Sequence, residues 1–324
     1  MYATSVGTTR CTAHFPELRD QGFYRTVLDL ELSTLGIGTY LNASADALLA
    51  AAAGGINFFD TAINYRRQQS ERDIGAALAH LQRDEIVVCT KAGFLTPDAV
   101  PATLAAEDIA GGMHSMAPDF LEDQIERSRS NMGVDTIDVF YLHNPETQLG
   151  FLTRDRFDDR IRGAFALLEE LVERGRIRWY GAATWEGFRK RDALNLPRMA
   201  EIAAQEGGPD HHFRWIQLPF NIGMVEAYLD RPESVLESAA RLGIAVAASA
   251  TLMQTQVLEN MPGSVRDLLP GFATNAQRAI QFTRSTPGVA VALVGMGTPS
   301  HVVENLGVAR VRPATPEEYE RLYR

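Results

Sequence analysis

Four proton-handling side chains, Asp60, Tyr65, Lys91 and His143, stand at or just beyond the ends of apolar, strand-like runs. Asp60 closes GINFFD, Tyr65 follows five residues later, Lys91 closes EIVVCTK and His143 closes IDVFYLH. An acid, a phenol, an ammonium and an imidazole gathered in one place can protonate a carbonyl oxygen as that oxygen becomes an alkoxide. A free tyrosine, with a pKa of about 10, is a reluctant proton partner near neutral pH. A neighbouring ammonium favours the phenolate, so Lys91 is expected to lower the Tyr65 pKa. Asp60 would then hold Lys91 charged, and His143 would donate a hydrogen bond to the substrate oxygen. Acid–base assistance of this kind contributes roughly 10²–10⁴-fold. Each residue alone has a plainer reading: Asp60 as a helix cap before Thr61, Tyr65 in a loop, Lys91 as a solvated strand end, His143 in a turn before Asn144-Pro145. Their joint placement at the same end of successive runs favours chemistry.

Such placement needs a scaffold of parallel strands, whose C-terminal ends converge on one mouth. Strand-like runs fall near 35–39, 56–60, 85–91, 136–143, 176–183, 213–219, 244–250 and 288–295. Helical patterns follow near 44–54, 69–83, 118–132, 159–174, 196–206, 232–242, 272–284 and 299–309. Sustained β–α alternation implies a parallel sheet covered by helices, and eight units predict a single (β/α)8 TIM barrel with a short N-terminal extension. One domain is expected over 1–324, with its core at about 30–310. Gly133, Gly175 and Gly243 stand where a helix must stop before the next strand. Two connections are long, 92–117 and 251–271, and belong over the mouth; with 221–230 they are expected to govern what enters.

Composition sets outer limits. The chain has 324 residues, 45% hydrophobic and 22% charged, which suits a globular protein with a full core. A net charge of -10 argues against a nucleic-acid surface. Only two cysteines occur, Cys11 in a polar stretch and Cys89 in an apolar run, so no disulfide framework is expected and a cytoplasmic setting is. The N-terminus shows no apolar signal segment, and no apolar run approaches the ~20 residues that span a bilayer. His211-His212 and the acidic stretch 155–159 lack a metal-ligand pattern, so no metal is expected.

GINFFDTAINYRRQQSERDIGAAL, followed by VVCTKAG and VFYLHNPE, resembles the aldo-keto reductase family. So do LEELVERGRIRWYGAAT, the strand carrying Gln217, and ALVGMGTPSHVVENLGVA, all in family order over about 35–310. The resemblance implies that Asp60, Tyr65, Lys91 and His143 are a catalytic tetrad and that NADP, with NAD possible, lies across the mouth without a Rossmann fold. It implies cofactor contacts at Thr184, Gln217, Ser249, Leu252, Gly295, Gly297, Thr298, His301, Glu304 and Asn305. Gln217 would meet the nicotinamide amide, Glu304 and Asn305 the adenine, and the helix start after Thr298 the phosphate.

Several places depart from the family pattern. Ala183 and Thr184 stand where a Ser-Asn pair is common, and Ser249 near a stacking tyrosine. Gly295 and His301 occupy positions that often hold a lysine and an arginine against the 2′-phosphate of NADP. Without those cations the strong charge-assisted bond is missing, which puts an NADP preference in question. Arg66 and Arg67 follow the tyrosine where a glycine is frequent; one is a candidate for an anionic substrate, and pairing with Glu71 or Asp73 is the alternative. Met253, Met261 and Trp185 read as packing or pocket lining.

The expected function is reversible reduction of an aldehyde or ketone, a small carbonyl or sugar-like compound, with no nucleic-acid or membrane partner. A nucleotide-binding accessory or sensor protein and a redox-neutral enzyme with recycled nucleotide are the rivals.

Overall fold

A computed structural model describes residues 1–190, 193–259 and 261–323. Among the described residues ten strands form in chain order: β1 Tyr24–Val27, β2 Leu30–Ser33, β3 Leu35–Gly38, β4 Phe58–Asp60 and β5 Val87–Ala92. Next come β6 Ile137–His143, β7 Ile177–Ala183, β8 Phe213–Pro219, β9 Ala245–Ser249 and β10 Val291–Gly295. Strands β3 to β10 close a barrel in sequence order, β10 pairing with β3, and every barrel pair is parallel. These are the eight strands expected from the apolar runs, and the architecture is a (β/α)8 TIM barrel.

The helices follow the same plan with shifted ends. Pro118–Met132 stops at Gly133, whose φ of 65° is the left-handed value that glycine reaches without strain. Arg154–Glu173 starts earlier than the apolar periodicity alone, because Thr153 caps it by accepting from the Arg156 N–H. Gln69–Leu78 ends sooner than its pattern, handing over to a 3-10 turn at Arg83–Glu85. Among the described residues no helix is long and apolar enough to cross a membrane.

Two buried clusters divide the core. The larger joins helix faces to outward strand residues, such as Ile125, Leu168, Phe140 and Ile216. The smaller holds alternate strand residues (Phe58, Cys89, Val139, Tyr141, Trp215 and Leu293 among them) together with Ala3, Val27, Leu30 and Leu32. Side chains alternate faces along a strand, so this second cluster fills the barrel interior. The β1–β2 hairpin and the first residues therefore plug its N-terminal end. The N-terminal extension is thus structural: Ser5–Ala13 and Pro16–Asp20 are helices, the Ala3 N–H donates to the buried Asp138 Oδ1 at 2.7 Å, and Cys11 is buried.

The two long connections have internal order. In 92–117 an antiparallel bridge pairs Phe94 with His114, and a 3-10 turn covers Ala106–Asp108. The 251–271 connection carries short helices at Gln256–Glu259 and Gly263–Leu268, with Asn260 outside the described residues. A further helix, Pro316–Glu320, lies in the tail beyond the barrel and buries Tyr319.

Candidate active site

Strand alternation fixes what faces the mouth. Continuing upward from Phe58, Cys89, Tyr141 and Trp215, the next inward positions are Asp60, Lys91, His143 and Gln217. On the remaining strands the corresponding positions are small: Gly38, Ala183, Ser249 and Gly295. Half of the mouth is therefore polar and filled, and half is open.

The filled half is one connected cluster. Lys91 Nζ donates to Asp60 Oδ2 at 2.7 Å and to the Thr61 carbonyl at 2.6 Å. Gln217 Nε2, from the opposite side of the barrel, donates to Asp60 Oδ1 at 2.8 Å. Both carboxylate oxygens are thus spent inside the site, so Asp60 is not a helix cap. Lys91 is fully buried and its ammonium lies 5.1 Å from the Tyr65 ring centroid. The Tyr65 ring contacts that of His143 edge-on at 5.8 Å, and Tyr40 packs against it edge-on at 5.0 Å. The structure brings all four proton-handling residues together.

Burial decides the charge states. It pulls the Lys91 ammonium downward, but the charges of Asp60 and Tyr65 outweigh it and the net shift is upward, so Lys91 is a cation. His143 is driven well below the usual imidazole range by burial first and then by Lys91, leaving a neutral ring that can offer one N–H. Tyr65 differs from the sequence expectation. Lys91 does pull its pKa down, but loss of water around the phenol pushes harder, and the net shift is upward. Near neutral pH the phenol carries its proton, which suits an acid in the reductive direction.

The open half meets a nucleotide's needs in part. An added Cβ on Gly295 would meet nothing within 4 Å, leaving a gap at the end of β10. Thr184 is buried and bound through its N–H to the Gln217 carbonyl at 2.8 Å, while Ser249 and Leu252 are half-buried. Asn305 is buried, whereas Thr298, His301 and Glu304 are exposed on the rim. Thr298 itself caps Pro299–Asn305 by accepting from the His301 N–H at 3.4 Å, and Gly297 packs against Asn42. Amide and hydroxyl donors with a glycine-lined gap fit the neutral parts of a nicotinamide nucleotide. No arginine or lysine stands at 295 or 301 to meet a 2′-phosphate.

The arginines after Tyr65 separate. Arg66 forms an ion pair with Asp73 and donates to Ser70 Oγ at 3.0 Å and to the Ala43 carbonyl at 3.3 Å. Glu71 is buried and accepts from Thr90 and Asn131 instead. Arg67 is exposed, and Arg66, Arg67 and Gln68 all have positive φ (46°, 53° and 69°), a conformation costing about 1–2 kcal/mol per non-glycine residue. Arg66 therefore braces a strained turn and ties it to the loop after β3.

Other contributors had no signal in the sequence. Glu146 Oε1 accepts from the N–H groups of Trp185, Glu186 and Gly187 at 2.8, 3.0 and 3.0 Å, fastening the loops after β6 and β7 together. Phe94 lies edge-on to His143 at 5.2 Å. His212 is engaged elsewhere, its Nδ1 2.7 Å from Glu169 Oε2, and among the described residues no group of three or more His, Cys, Asp or Glu side chains converges as for a metal.

A family model described as the aldo/keto reductase family matches residues 34–262. The chain belongs to the aldo/keto reductase family. An uncharacterised oxidoreductase of Bacillus subtilis is 23% identical over 318 residues, covering 91% of this chain and 92% of that one. An NADH-specific methylglyoxal reductase of Escherichia coli is 27% identical over 190 residues, 55% of this chain and 56% of that protein. The barrel superimposes on an aldo/keto reductase from Klebsiella pneumoniae, solved with NADP and acetate, with a TM-score of 0.66 at 19% identity, covering 91% of each chain.

Proposed function

We propose that this aldo/keto reductase interconverts a carbonyl compound and its alcohol, with Tyr65 as the general acid in reduction and the general base in oxidation. The observation that carries the reading is the buried Asp60–Lys91 pair, 2.7 Å apart, with its ammonium 5.1 Å from the Tyr65 ring and the neutral His143 beside that ring. A nicotinamide nucleotide, when bound, would supply hydride to the carbonyl carbon or accept it from the alcohol carbon. His143 orients the carbonyl oxygen through its N–H. Tyr65 passes its proton to that oxygen as negative charge develops there, leaving a phenolate that Lys91 stabilises until solvent returns the proton. Asp60 keeps Lys91 charged, and Gln217, whose Nε2 donates to Asp60 Oδ1, keeps Asp60 in place.

The proposed cofactor is NADP, with NAD also accepted. The Klebsiella structure holding NADP supports the first and the NADH-specific reductase of Escherichia coli the second. Thr184, Gln217, Ser249 and Asn305 would hold the neutral portions, and His301 and Gly295 give a 2′-phosphate no guanidinium or ammonium. The substrate is proposed to be a small or sugar-like aldehyde or ketone. Turnover of a panel of such carbonyls with NADPH and with NADH tests the reading; inactivity toward the whole panel refutes it.

A further inference from the structure

A second histidine lies behind the first. His114, in the long connection after β5, is fully buried, with Nε2 2.7 Å from the main-chain carbonyl oxygen of His143. A carbonyl only accepts, so Nε2 carries the proton. Nδ1 then accepts from Gln148 Nε2, 3.0 Å away, and these two partners fix one neutral tautomer. Gln148 is also fully buried, and its Oε1 accepts from Arg160 at 3.2 Å. Arg160 further donates to the carbonyls of Glu107 and Asp108 at 2.5 and 3.0 Å, in the same long connection as His114. Burial lowers the His114 pKa to about 4, in keeping with a neutral ring.

The local backbone is shaped around this contact. A Cβ on Gly93 would lie 2.5 Å from His114 Nε2 and 2.6 Å from the His143 carbonyl oxygen, so a side chain there would break into the bond. Leu95 donates to the Met113 carbonyl and Ser115 to the Gly93 carbonyl, both at 2.8 Å, clamping the two ends of the connection across His114. Phe94 stands edge-on to both imidazoles, 5.2 Å from each.

We propose that His114 is a positioning residue for His143: it seats the 93–117 connection on the end of β6 and so sets the placement of the His143 ring. The proposal rests on the reading of His143 as the group that orients the carbonyl. Displacements of about 1 Å in such groups cost up to about 100-fold in rate.

The test compares His114→Leu, which removes both ring bonds, His114→Gln, whose amide N–H can still reach the His143 carbonyl, and Gln148→Leu, which removes one of the two bonds that fix the tautomer. Aldehyde reduction is measured with saturating NADPH and with its 4-deuterated form, and NADPH affinity by fluorescence titration. The expected result is a kcat at least tenfold lower in His114→Leu, with a larger deuterium isotope effect and NADPH affinity within twofold of wild type. His114→Gln should recover most of the loss, and Gln148→Leu should show part of it. An unchanged kcat and isotope effect in His114→Leu overturns the proposal. A loss shared equally by His114→Gln and accompanied by weakened NADPH binding overturns it too, as mere structural damage. If His114→Leu does not fold, Gln148→Leu decides on the same criteria. If the wild type turns over no carbonyl, the catalytic reading fails separately, and the ¹⁵N resonances of the His143 ring become the readout. They must move in Gln148→Leu, and unmoved resonances refute the positioning.

Discussion

Replacing Lys91 by methionine removes the charge that opposes burial of the Tyr65 phenolate. With the ammonium 5.1 Å from the ring centroid and an effective dielectric of about 20, the interaction is worth about 3 kcal/mol, or roughly 100-fold in the balance between phenol and phenolate. The sign follows from the base form. Oxidation of an alcohol needs phenolate; Lys91 lowers the Tyr65 pKa and its loss raises it further above the ordinary value. At pH 9, below both pKa values, less phenolate exists in the variant, so kcat for alcohol oxidation should fall about 100-fold and keep rising with pH. The assay is the pH profile of alcohol oxidation from pH 7 to 10 in both proteins. Lys91→Met also strands the buried Asp60, and breaking such a pair costs about 3–5 kcal/mol. Lys91→Met/Asp60→Asn therefore serves as the folded control and should show the same profile. An oxidation rate at pH 9 unchanged in both variants would refute the proposed coupling between Lys91 and Tyr65.

Four further outcomes follow from the geometry. Introducing a cation at the rim by His301→Arg should tighten NADPH about tenfold or more and leave NADH unchanged, read by fluorescence titration; equal effects on both nucleotides would place the 2′-phosphate elsewhere. Arg67→Ala should raise KM up to about fivefold for an acidic carbonyl and not for a neutral one, the range of an exposed ion pair. Arg66→Ala, which removes the ion pair to Asp73 and the bond to the Ala43 carbonyl, should instead lower thermal stability. Arg284 is fully buried and donates to Gln281 Oε1, Thr34 Oγ1 and the carbonyls of Val308 and Val311. Arg284→Met strands these acceptors and should cost about 3 kcal/mol or more in urea unfolding; a loss under 1 kcal/mol would mean that water replaces the guanidinium.

The barrel was legible because its strands are buried on both faces and read as continuous apolar runs, punctuated by helix-stopping glycines such as Gly133, Gly175 and Gly243. The gathering of Asp60, Tyr65, Lys91 and His143 was legible because each ends or follows such a run. The β1–β2 hairpin was not. Its turn places Leu28 at φ 54° with no glycine or asparagine to announce it, and its strands are only four residues long. Cys11 lay in a stretch that looked polar, yet docking of Ser5–Ala13 under the barrel buries it. Nor could spacing reveal His114, a lone histidine inside a long connection whose value depends on that connection folding back onto β6. The direction of the Tyr65 shift was missed because a sequence shows a nearby cation but not the removal of water.

The central claim, that Tyr65 transfers the proton, is tested most directly by Tyr65→Phe. With an aldehyde that the wild type reduces, the variant should lose about 10²–10⁴-fold in kcat while binding NADPH with unchanged affinity. Reduction by Tyr65→Phe at the wild-type rate would contradict it.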